Sequence, residues 1–396
     1  MTLGGGERML RLLAASALAL TVGLGSATGA RAAEFIIGSE LPLTGPLARV
    51  GQGMNEGIQV AAEIFNRTNG RHTVKVITVD DETQPAKAIA AIEKLNSEGA
   101  IAFTGGYGSN IIGPASDAAE RLGKVYITSG GVATELSHRG LKTFFRINNA
   151  AGYAKALAGF YRDQGIRSVS VLYSTREATQ EVARMLEKDW QESGVTVTMH
   201  PFDASVTDFK PIMHKIKVID RSEAIAMIGY ENDYVGIIRA ARVFTPDVKA
   251  IGGVWSLTTT KMWNDFPELM NNVYGTATVS YPPKFLTEQE SVFAEVYSEM
   301  FGKDVDYLGI YGYVQSTLLF NAVAEAHDAG DPSTEGIIRA LRSREHETLI
   351  GTVRFDEGGD NVNFSHRIGQ HQAGQIPIVW PPEAETGPAT FPGVAW

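Results

Sequence analysis

Two turns rich in glycine and hydroxyl-bearing side chains stand where predicted strands give way to helices. The first covers residues 104–110 and includes Tyr107, Ser109 and Asn110. Glycines let the backbone approach a ligand, and the unpaired N–H groups and dipole of a helix start favour an anion. Because the Ser109 hydroxyl can donate to a carboxylate, this turn predicts an anion-binding site. The alternative is a tight turn in which Ser109 only caps the helix.

The next junction along the chain repeats this chemistry. It covers residues 128–136 and includes Gly131, Val132 and Ala133. The ends of adjacent strands in an open α/β sheet point into the same crevice, where ligands bind. The two turns therefore predict one shared site.

Aromatic side chains mark the corresponding junctions in the second half of the chain. Tyr230 and Glu231 follow an apolar strand and open a helix, and Trp255 follows the next strand. Aromatic rings offer a large apolar contact to a ligand in a closed pocket. These positions predict the second wall of a binding cleft, with packing on a lobe surface as the alternative.

The residues that most enzyme classes need are missing or wrongly spaced. The chain has no cysteine and 8 histidines. These histidines lack metal-ligand spacing, and no phosphate-binding loop or nucleophile elbow occurs. Asp80 and Asp81 end a strand and suggest metal or acid/base chemistry, yet a helix start explains them equally well. A binding protein without a cofactor or metal is expected, and a secreted α/β hydrolase or dehydrogenase is the rival class.

Strands and helices must alternate to position these turns. Short β-branched runs alternate with amphipathic stretches over residues 35–128, which is typical of a parallel sheet covered on both faces. A second alternating series starts after residues 144–147, and the chain from residue 287 onward is expected to return and complete the earlier lobes. The first helix, predicted over residues 51–66, carries one apolar stripe. The stripe consists of Met54, Ile58, Ala61, Ala62 and Phe65. An α/β fold with two parallel-sheet lobes is predicted.

The N-terminus and the net charge indicate where the protein works. Arg8 and Arg11 precede an apolar stretch over residues 12–24 and small residues at Ala30 and Ala32. This is the order of a secretory signal peptide, here residues 1–32. Because no cysteine is present for lipid attachment, the protein is expected to be free in a periplasm. A net charge of -10 disfavours nucleic acid as a partner.

Four stretches carry the most specific sequence patterns. Residues 37–46, 80–83, 114–117 and 135–146 read IGSELPLTGP, DDET, PASD and ELSHRGLKTFFR. In these the chain resembles the periplasmic binding proteins of the branched-chain amino acid type, the receptors of ABC importers. The resemblance implies a type I periplasmic binding protein fold with three crossover strands and closure by a hinge.

The resemblance also implies boundaries and partners. Crossings near Ile147, Ala277 and Gly351 divide the chain into a first lobe of residues 33–147 and 278–350, a second lobe of 148–277 and 351–380, and a tail of 381–396. In the family, the serine at the position of Ser109 holds the ligand carboxylate, and residues 130–133 supply further first-lobe contacts. The implied partners are a small molecule and the permease subunits of an ABC transporter, with the protein itself a monomer.

The chain departs from the family at the position that pairs with the ligand ammonium. Amino acid binders have a threonine where this chain has Val132 or Ala133, and an acidic residue where it has Trp255, although Glu231 is close enough in sequence to serve. A buried ammonium without a partner costs on the order of several kcal/mol. The hypothesis is a ligand with a carboxylate or amide and an apolar or aromatic body in place of a free α-amino group. A branched-chain amino acid, or a sensing role for a membrane receptor, are the alternatives.

Overall fold

A computed structural model describes residues 32–284, 287–305 and 307–393 of the protein, so all but the last residue of the predicted signal peptide lies outside the described residues. The chain opens with a parallel sheet in the order β2-β1-β3-β4-β5. The elements are β1 (Glu34–Leu41), α1 (Ala48–Thr68), β2 (Thr73–Asp80), α2 (Pro85–Ser97), β3 (Ala102–Gly105), α3 (Ser109–Arg121), β4 (Tyr126–Thr128) and β5 (Phe144–Arg146), with a 3-10 turn at Thr134–Ser137. This sheet forms the first lobe.

The second lobe repeats this arrangement with a second sheet. Its elements are α4 (Ala150–Asp163), β6 (Ser168–Ser174), α5 (Glu177–Glu192), β7 (Thr196–Phe202), α6 (Lys210–Lys215), β8 (Ala224–Ile228), α7 (Glu231–Phe244), β9 (Ala250–Gly253), α8 (Thr260–Asp265), α9 (Pro267–Met270) and β10 (Tyr274–Ala277). Strands β7-β6-β8-β9-β10 are parallel neighbours in the same winding order as the first sheet. Strand β8 is buried along its whole length, as expected for a parallel strand covered on both faces.

The rest of the chain returns to both lobes, as the sequence predicts. It consists of α10 (Glu288–Phe301), α11 (Tyr307–Asp328), α12 (Thr334–Arg342), β11 (His346–Thr348), β12 (Gly351–Val353), β13 (Arg367–Gln370) and β14 (Ile378–Trp380). The helices α10 to α12 share the core of the first lobe, and β13 and β14 extend the second sheet in antiparallel pairing. The predicted fold class, two parallel-sheet lobes in one α/β chain, is confirmed.

The third crossing between the lobes lies further along the chain than position 351. Val353 and Phe355 are buried in the core of the first lobe, and Asp360 still bridges to Arg146 at the end of β5. Phe364 is the first residue after these to contact both cores. Residues 351–361 therefore pack on the first lobe and not, as predicted, on the second, because the apolar side chains of β12 and its flank fill the space beside β5.

The C-terminal residues pack on the second lobe instead of forming a loose tail. The Tyr274 hydroxyl and the Gln370 side-chain amide both donate to the carbonyl oxygen of Thr390. Further on, the Gly393 N–H donates to the Lys249 carbonyl oxygen at 2.8 Å. These hydrogen bonds, two from side chains and one from the backbone, anchor residues 390–393 to β10, to β13 and to the residue before β9.

Close packing of α11 on α1 brings one end of α11 to the cleft. A Cβ atom on Gly57 would lie 1.9 Å from the Gly309 carbonyl oxygen, and one on Gly312 would lie 2.1 Å from that of Met54. Both glycines are therefore required for this approach of the two helix backbones. The predicted apolar stripe of the first helix is buried in this contact.

Candidate ligand-binding site

The cleft between the lobes contains an inner cavity that opens onto an outer one. The inner cavity has a volume of about 20 Å³, which is room for little more than one water molecule. The outer cavity is larger, at about 400 Å³, and shares Gly108, Ser109, Ala178 and Tyr230 with the inner one. The lobes are therefore closed on the inner cavity, and a ligand can occupy it only when side chains or lobes move apart.

Side chains from both lobes line the inner cavity. They are Met54, Tyr107, Gly108, Ser109, Ser129, Gly130, Val132, Asn148, Tyr153, Ala178, Tyr230, Trp255, Tyr307, Leu308 and Tyr311. None of these described residues is an acid, a lysine or an arginine. Tyrosines are the most frequent lining residues, so the wall combines aromatic faces with neutral hydroxyl groups.

Ser109 lies at the start of α3, where backbone N–H groups and a hydroxyl face the cavity. The N–H groups of Ile111 and Ile112 bond to the Gly108 carbonyl oxygen. The N–H groups of Ser109 and Asn110 come before them in the first turn and have no partner within the helix. The Ser109 hydroxyl oxygen accepts the N–H of Ala133 at 3.2 Å. Because its oxygen already accepts this bond, the hydroxyl can use its own proton to donate to a ligand carboxylate.

The second lobe presents an aromatic wall. The rings of Tyr230 and Trp255 stack with centroids 5.4 Å apart, and Tyr153 meets the Trp255 ring edge-on at 6.2 Å. Trp255 has a φ of 57°, which a bulky residue adopts only under constraint from its surroundings. The Arg176 guanidinium lies 4.9 Å from the centre of the Tyr230 ring and lines the outer cavity. The outer cavity therefore carries a positive charge at Arg176 beside the carboxylate of Glu177.

A network of neutral polar groups closes the far side. The Tyr311 hydroxyl lies 3.1 Å from His366 Nε2, and the Tyr153 hydroxyl bonds to that of Tyr307 and accepts from the Asn148 amide at 3.2 Å. Burial lowers the pKa of His366 to about 3 and raises the pKa of Tyr153 to about 12. Both side chains are therefore uncharged at neutral pH.

Glu231 lies outside this cavity, in an ion pair that joins the lobes. Arg49 of α1 reaches Glu231 at the start of α7 at 2.9 Å, and it also meets Asp265 of α8 at 3.2 Å. Burial raises the pKa of Glu231, although the nearby Arg49 acts in the opposite direction. Glu231 therefore contacts Arg49 across the cleft and does not line the inner cavity.

Replacing Glu231 with glutamine is expected to change ligand affinity by less than about 5-fold, since partly exposed ion pairs contribute about 0–1 kcal/mol. Isothermal titration calorimetry with the tightest carboxylate ligand measures this. Glu192→Gln, which removes only an ion pair within α5, is the control. A loss of about 100-fold or more would identify Glu231 as a direct ligand contact instead.

The structure brings most of the predicted site residues together. Five of them, Tyr107, Ser109, Val132, Tyr230 and Trp255, line the inner cavity, and Asn110 lines the outer one. Gly131 and Ala133 lie behind the wall: a Cβ on Gly131 would meet Leu136, and the N–H of Ala133 is taken by Ser109. The sequence analysis missed Asn148, Tyr153, Tyr307 and Tyr311, which belong to the crossing after β5 and to two helices.

A pair of carboxyl groups is buried behind the turn of residues 104–110. Glu40 and Asp81 are both inaccessible to solvent, and the Tyr126 hydroxyl donates to Glu40 Oε2 at 2.8 Å. Glu40 Oε1 and Asp81 Oδ2 have no hydrogen-bond partner among the described residues, and burial together with the nearby Asp81 carboxyl raises the pKa of Glu40 well above its usual range. Glu40 also accepts the N–H of Gly106 through its carbonyl oxygen, so it supports residues 105–109 from behind.

The contribution of this carboxyl pair to the free energy of unfolding is expected to fall as pH rises above the ordinary glutamate pKa. Burial raises the pKa of Glu40 well above that value and also raises the pKa of Asp81. The folded protein therefore holds a proton that the unfolded chain releases in this window, and stability is lost up to the raised folded pKa. Urea unfolding of wild type and Glu40→Gln between pH 5 and 8.5 measures the slope. The amide cannot titrate and the buried His366 acts alike in both proteins, so the free energy of unfolding should fall less, or rise more, with pH in the variant. Equal slopes would contradict a raised Glu40 pKa.

Two parallel-sheet lobes with an enclosed cavity between them define a class: a two-lobed binding protein that closes around a small molecule. Over residues 34–375 the chain matches the family described as periplasmic binding protein, and it belongs to that family. The resemblance predicted from the sequence is thereby confirmed. No helix in the described part of the chain is long and apolar enough to cross a membrane.

Known relatives cover nearly the whole chain. A protein from Pseudomonas aeruginosa named leucine-, isoleucine-, valine-, threonine-, and alanine-binding protein is 28% identical over 378 residues, 92% of this chain and 96% of the relative. A leucine binding protein from Thermotoga maritima has a TM-score of 0.77 at 21% identity, over 87% of this chain and 97% of that one. A solute binding protein of an ABC transporter from Rhodopseudomonas palustris BisB5, in complex with 3,4-dihydroxy benzoic acid, has a TM-score of 0.76 at 16% identity, over 87% and 95%. The two structures share their fold with this chain.

Proposed function

We propose that the protein is the periplasmic solute-binding component of an ABC importer and carries a small carboxylate in the interlobe cleft. The closed form is what the permease subunits recognise. Support comes from family membership, from relatives named as amino acid binders and ABC solute binders, and from a cleft that is closed by contacts between lobes. The N-terminal sequence supports export to the periplasm.

The ligand has a carboxylate and an apolar or aromatic body but no α-ammonium group. One observation carries this proposal: an anion-binding corner at Ser109 opens into a cavity whose described lining has no carboxylate. An ammonium in this cavity would meet only neutral groups after losing its hydration, which is costly. Tyr230 and Trp255 provide flat surfaces suited to a ring.

A thermal-shift screen of the mature protein tests the proposal. The protein is unfolded and refolded once to remove bound ligand, then mixed with aromatic and aliphatic carboxylates, amides and amino acids. A ligand present at 100 times its dissociation constant adds about 2.7 kcal/mol of stability, which raises the melting temperature visibly. Stabilisation by carboxylates without an amino group is expected. Stabilisation by leucine-like amino acids alone would refute the ligand class.

Uptake of the ligand by cells tests the transport role. Deletion of the gene is expected to abolish high-affinity uptake of the isotope-labelled carboxylate that gives the largest thermal shift. Expression of the wild-type protein should restore uptake, whereas the Ser109→Ala protein should restore it only at higher ligand concentrations. Unchanged uptake in the deletion strain would contradict a role in import.

A further inference from the structure

Asn148 places an unpartnered acceptor in the wall of the inner cavity. The residue follows β5 at the first crossing between the lobes, is 2% exposed and lines the cavity. Its Nδ2 donates to the Tyr153 hydroxyl at 3.2 Å, but its Oδ1 has no hydrogen-bond partner among the described residues. Burying a polar atom without a hydrogen-bond partner costs free energy. We therefore expect such an atom where a bound ligand supplies the missing partner.

The neighbouring hydroxyl groups fix which end of the Asn148 amide faces the cavity. His366 Nδ1 lies 2.9 Å from the Ala277 carbonyl oxygen, which can only accept, so Nδ1 holds the proton and Nε2 accepts from Tyr311. The N–H of Arg367 lies further from Nδ1, at 3.3 Å, and is the weaker contact.

The Tyr153 hydroxyl lies between the Asn148 amide and the Tyr307 hydroxyl. It bonds to the Tyr307 hydroxyl, which can take its proton. The Tyr153 oxygen in turn accepts from Asn148 Nδ2. The Asn148 oxygen is therefore the atom that is left for the ligand.

The position of Asn148 separates it from the carboxylate corner. Strand β4 lies between β3, which precedes Ser109, and β5, which precedes Asn148. Two strand spacings, about 10 Å, separate β3 from β5, and a single ring with polar groups at both ends and its two hydrogen bonds covers a span of that order. The two polar groups of the cavity thus suit the two ends of one small ligand.

We propose that Asn148 selects ligands that carry a neutral hydrogen-bond donor on the ring, at the end remote from the carboxylate. The substrate class is a ring hydroxyl- or amino-substituted aromatic carboxylate, and Asn148 is its specificity-determining residue. This inference rests on the proposed function, because it assumes that a carboxylate binds at Ser109. An apolar substituent of the same size leaves Asn148 Oδ1 without a partner, so it binds more weakly.

Size-matched ligands test this selection by isothermal titration calorimetry. Each of the three monohydroxybenzoates is compared with the methylbenzoate substituted at the same position, and benzoate serves as the reference. Wild type is expected to bind one hydroxy isomer at least about 10-fold more tightly than its methyl counterpart. In Asn148→Leu this preference should disappear. Asn321→Leu, at an exposed position on α11, is the control and should keep the preference.

The outcomes separate this inference from the proposed function. If benzoate binds but no hydroxy isomer exceeds its methyl counterpart in wild type, the role of Asn148 is refuted and the carboxylate site stands. A preference that persists in Asn148→Leu would also refute this role, because another group must then hydrogen-bond to the ligand hydroxyl. If no aromatic carboxylate binds at all, this inference fails, and the proposed ligand class is then decided by the aliphatic carboxylates of the thermal-shift screen. The wild-type comparison decides the point even if the variant does not fold.

Discussion

Replacing Ser109 with alanine is expected to lower the affinity for a carboxylate ligand about 10- to 150-fold, because a hydrogen bond to a charged group contributes about 1.5–3 kcal/mol. The variant keeps the first-turn N–H groups of α3, so binding is weakened but not abolished. The hydroxyl also accepts the Ala133 N–H, so a small loss of stability accompanies the change. Isothermal titration calorimetry with the tightest ligand measures the effect.

The control for this prediction is a serine with a hydroxyl outside the cleft. Ser97 lies at the end of α2, where its hydroxyl donates to the Lys94 carbonyl oxygen at 2.7 Å. Ser97→Ala should bind ligand as the wild type does. If Ser109→Ala also binds as the wild type does while remaining folded, the carboxylate lies elsewhere in the cleft.

Replacing Arg146 with methionine is expected to lower the free energy of unfolding by about 3–5 kcal/mol, the usual cost of removing one partner from a buried ion pair. Arg146 is fully buried and contacts Asp360 through Nη2 at 2.7 Å and through Nε at 3.0 Å. Its Nη1 also donates to the Ala133 carbonyl oxygen at 2.5 Å. The change therefore leaves Asp360 unpaired and loosens residues 131–133 behind the ligand site.

Urea unfolding of matched variants tests this. Arg162→Met removes a surface ion pair with Asp189, whose side chains are 47% and 39% exposed, and should cost no more than about 1 kcal/mol. Adding Asp360→Leu to Arg146→Met should recover part of the loss, since the unpaired carboxylate is then removed. A cost for Arg146→Met equal to that of the surface control would contradict the role of this pair.

The first-lobe half of the site could be predicted because it depends on a general rule of parallel sheets. The turns after β3 and β4 lie at adjacent strand ends, so Ser109 and Val132 had to meet in one crevice. Tyr230 and Trp255 follow from the same rule in the second lobe. Alternation of strands and helices, together with the apolar stripe of the first helix, was sufficient for the fold class.

The helical tyrosines could not be predicted because they belong to long-range packing. Tyr307 and Tyr311 reach the cavity because Gly57 and Gly312 let α11 approach α1 closely, across a sequence separation of more than two hundred residues. Their spacing of four residues places them on one face of the helix but does not indicate what that face contacts.

The misplacement of Glu231 has a simple geometric cause. Tyr230 is the N-cap of α7, and Glu231 is its first helical residue. Successive side chains on a helix point about 100° apart. Tyr230 therefore faces the cavity, whereas Glu231, one residue later, faces the lobe surface. The third crossing was misplaced for a related reason, since apolar residues such as Val353 and Phe355 fit the core of either lobe.

The central claim is that the cleft binds a carboxylate and has no partner for an α-ammonium group. Calorimetric titration with two ligand pairs that differ only by that group tests it most directly: L-phenylalanine with 3-phenylpropanoate, and L-leucine with 4-methylpentanoate. The ammonium-free member of at least one pair is predicted to bind about 10-fold more tightly or better, since burying an unpaired charge is costly. Tighter binding of the amino acid in both pairs would contradict the claim.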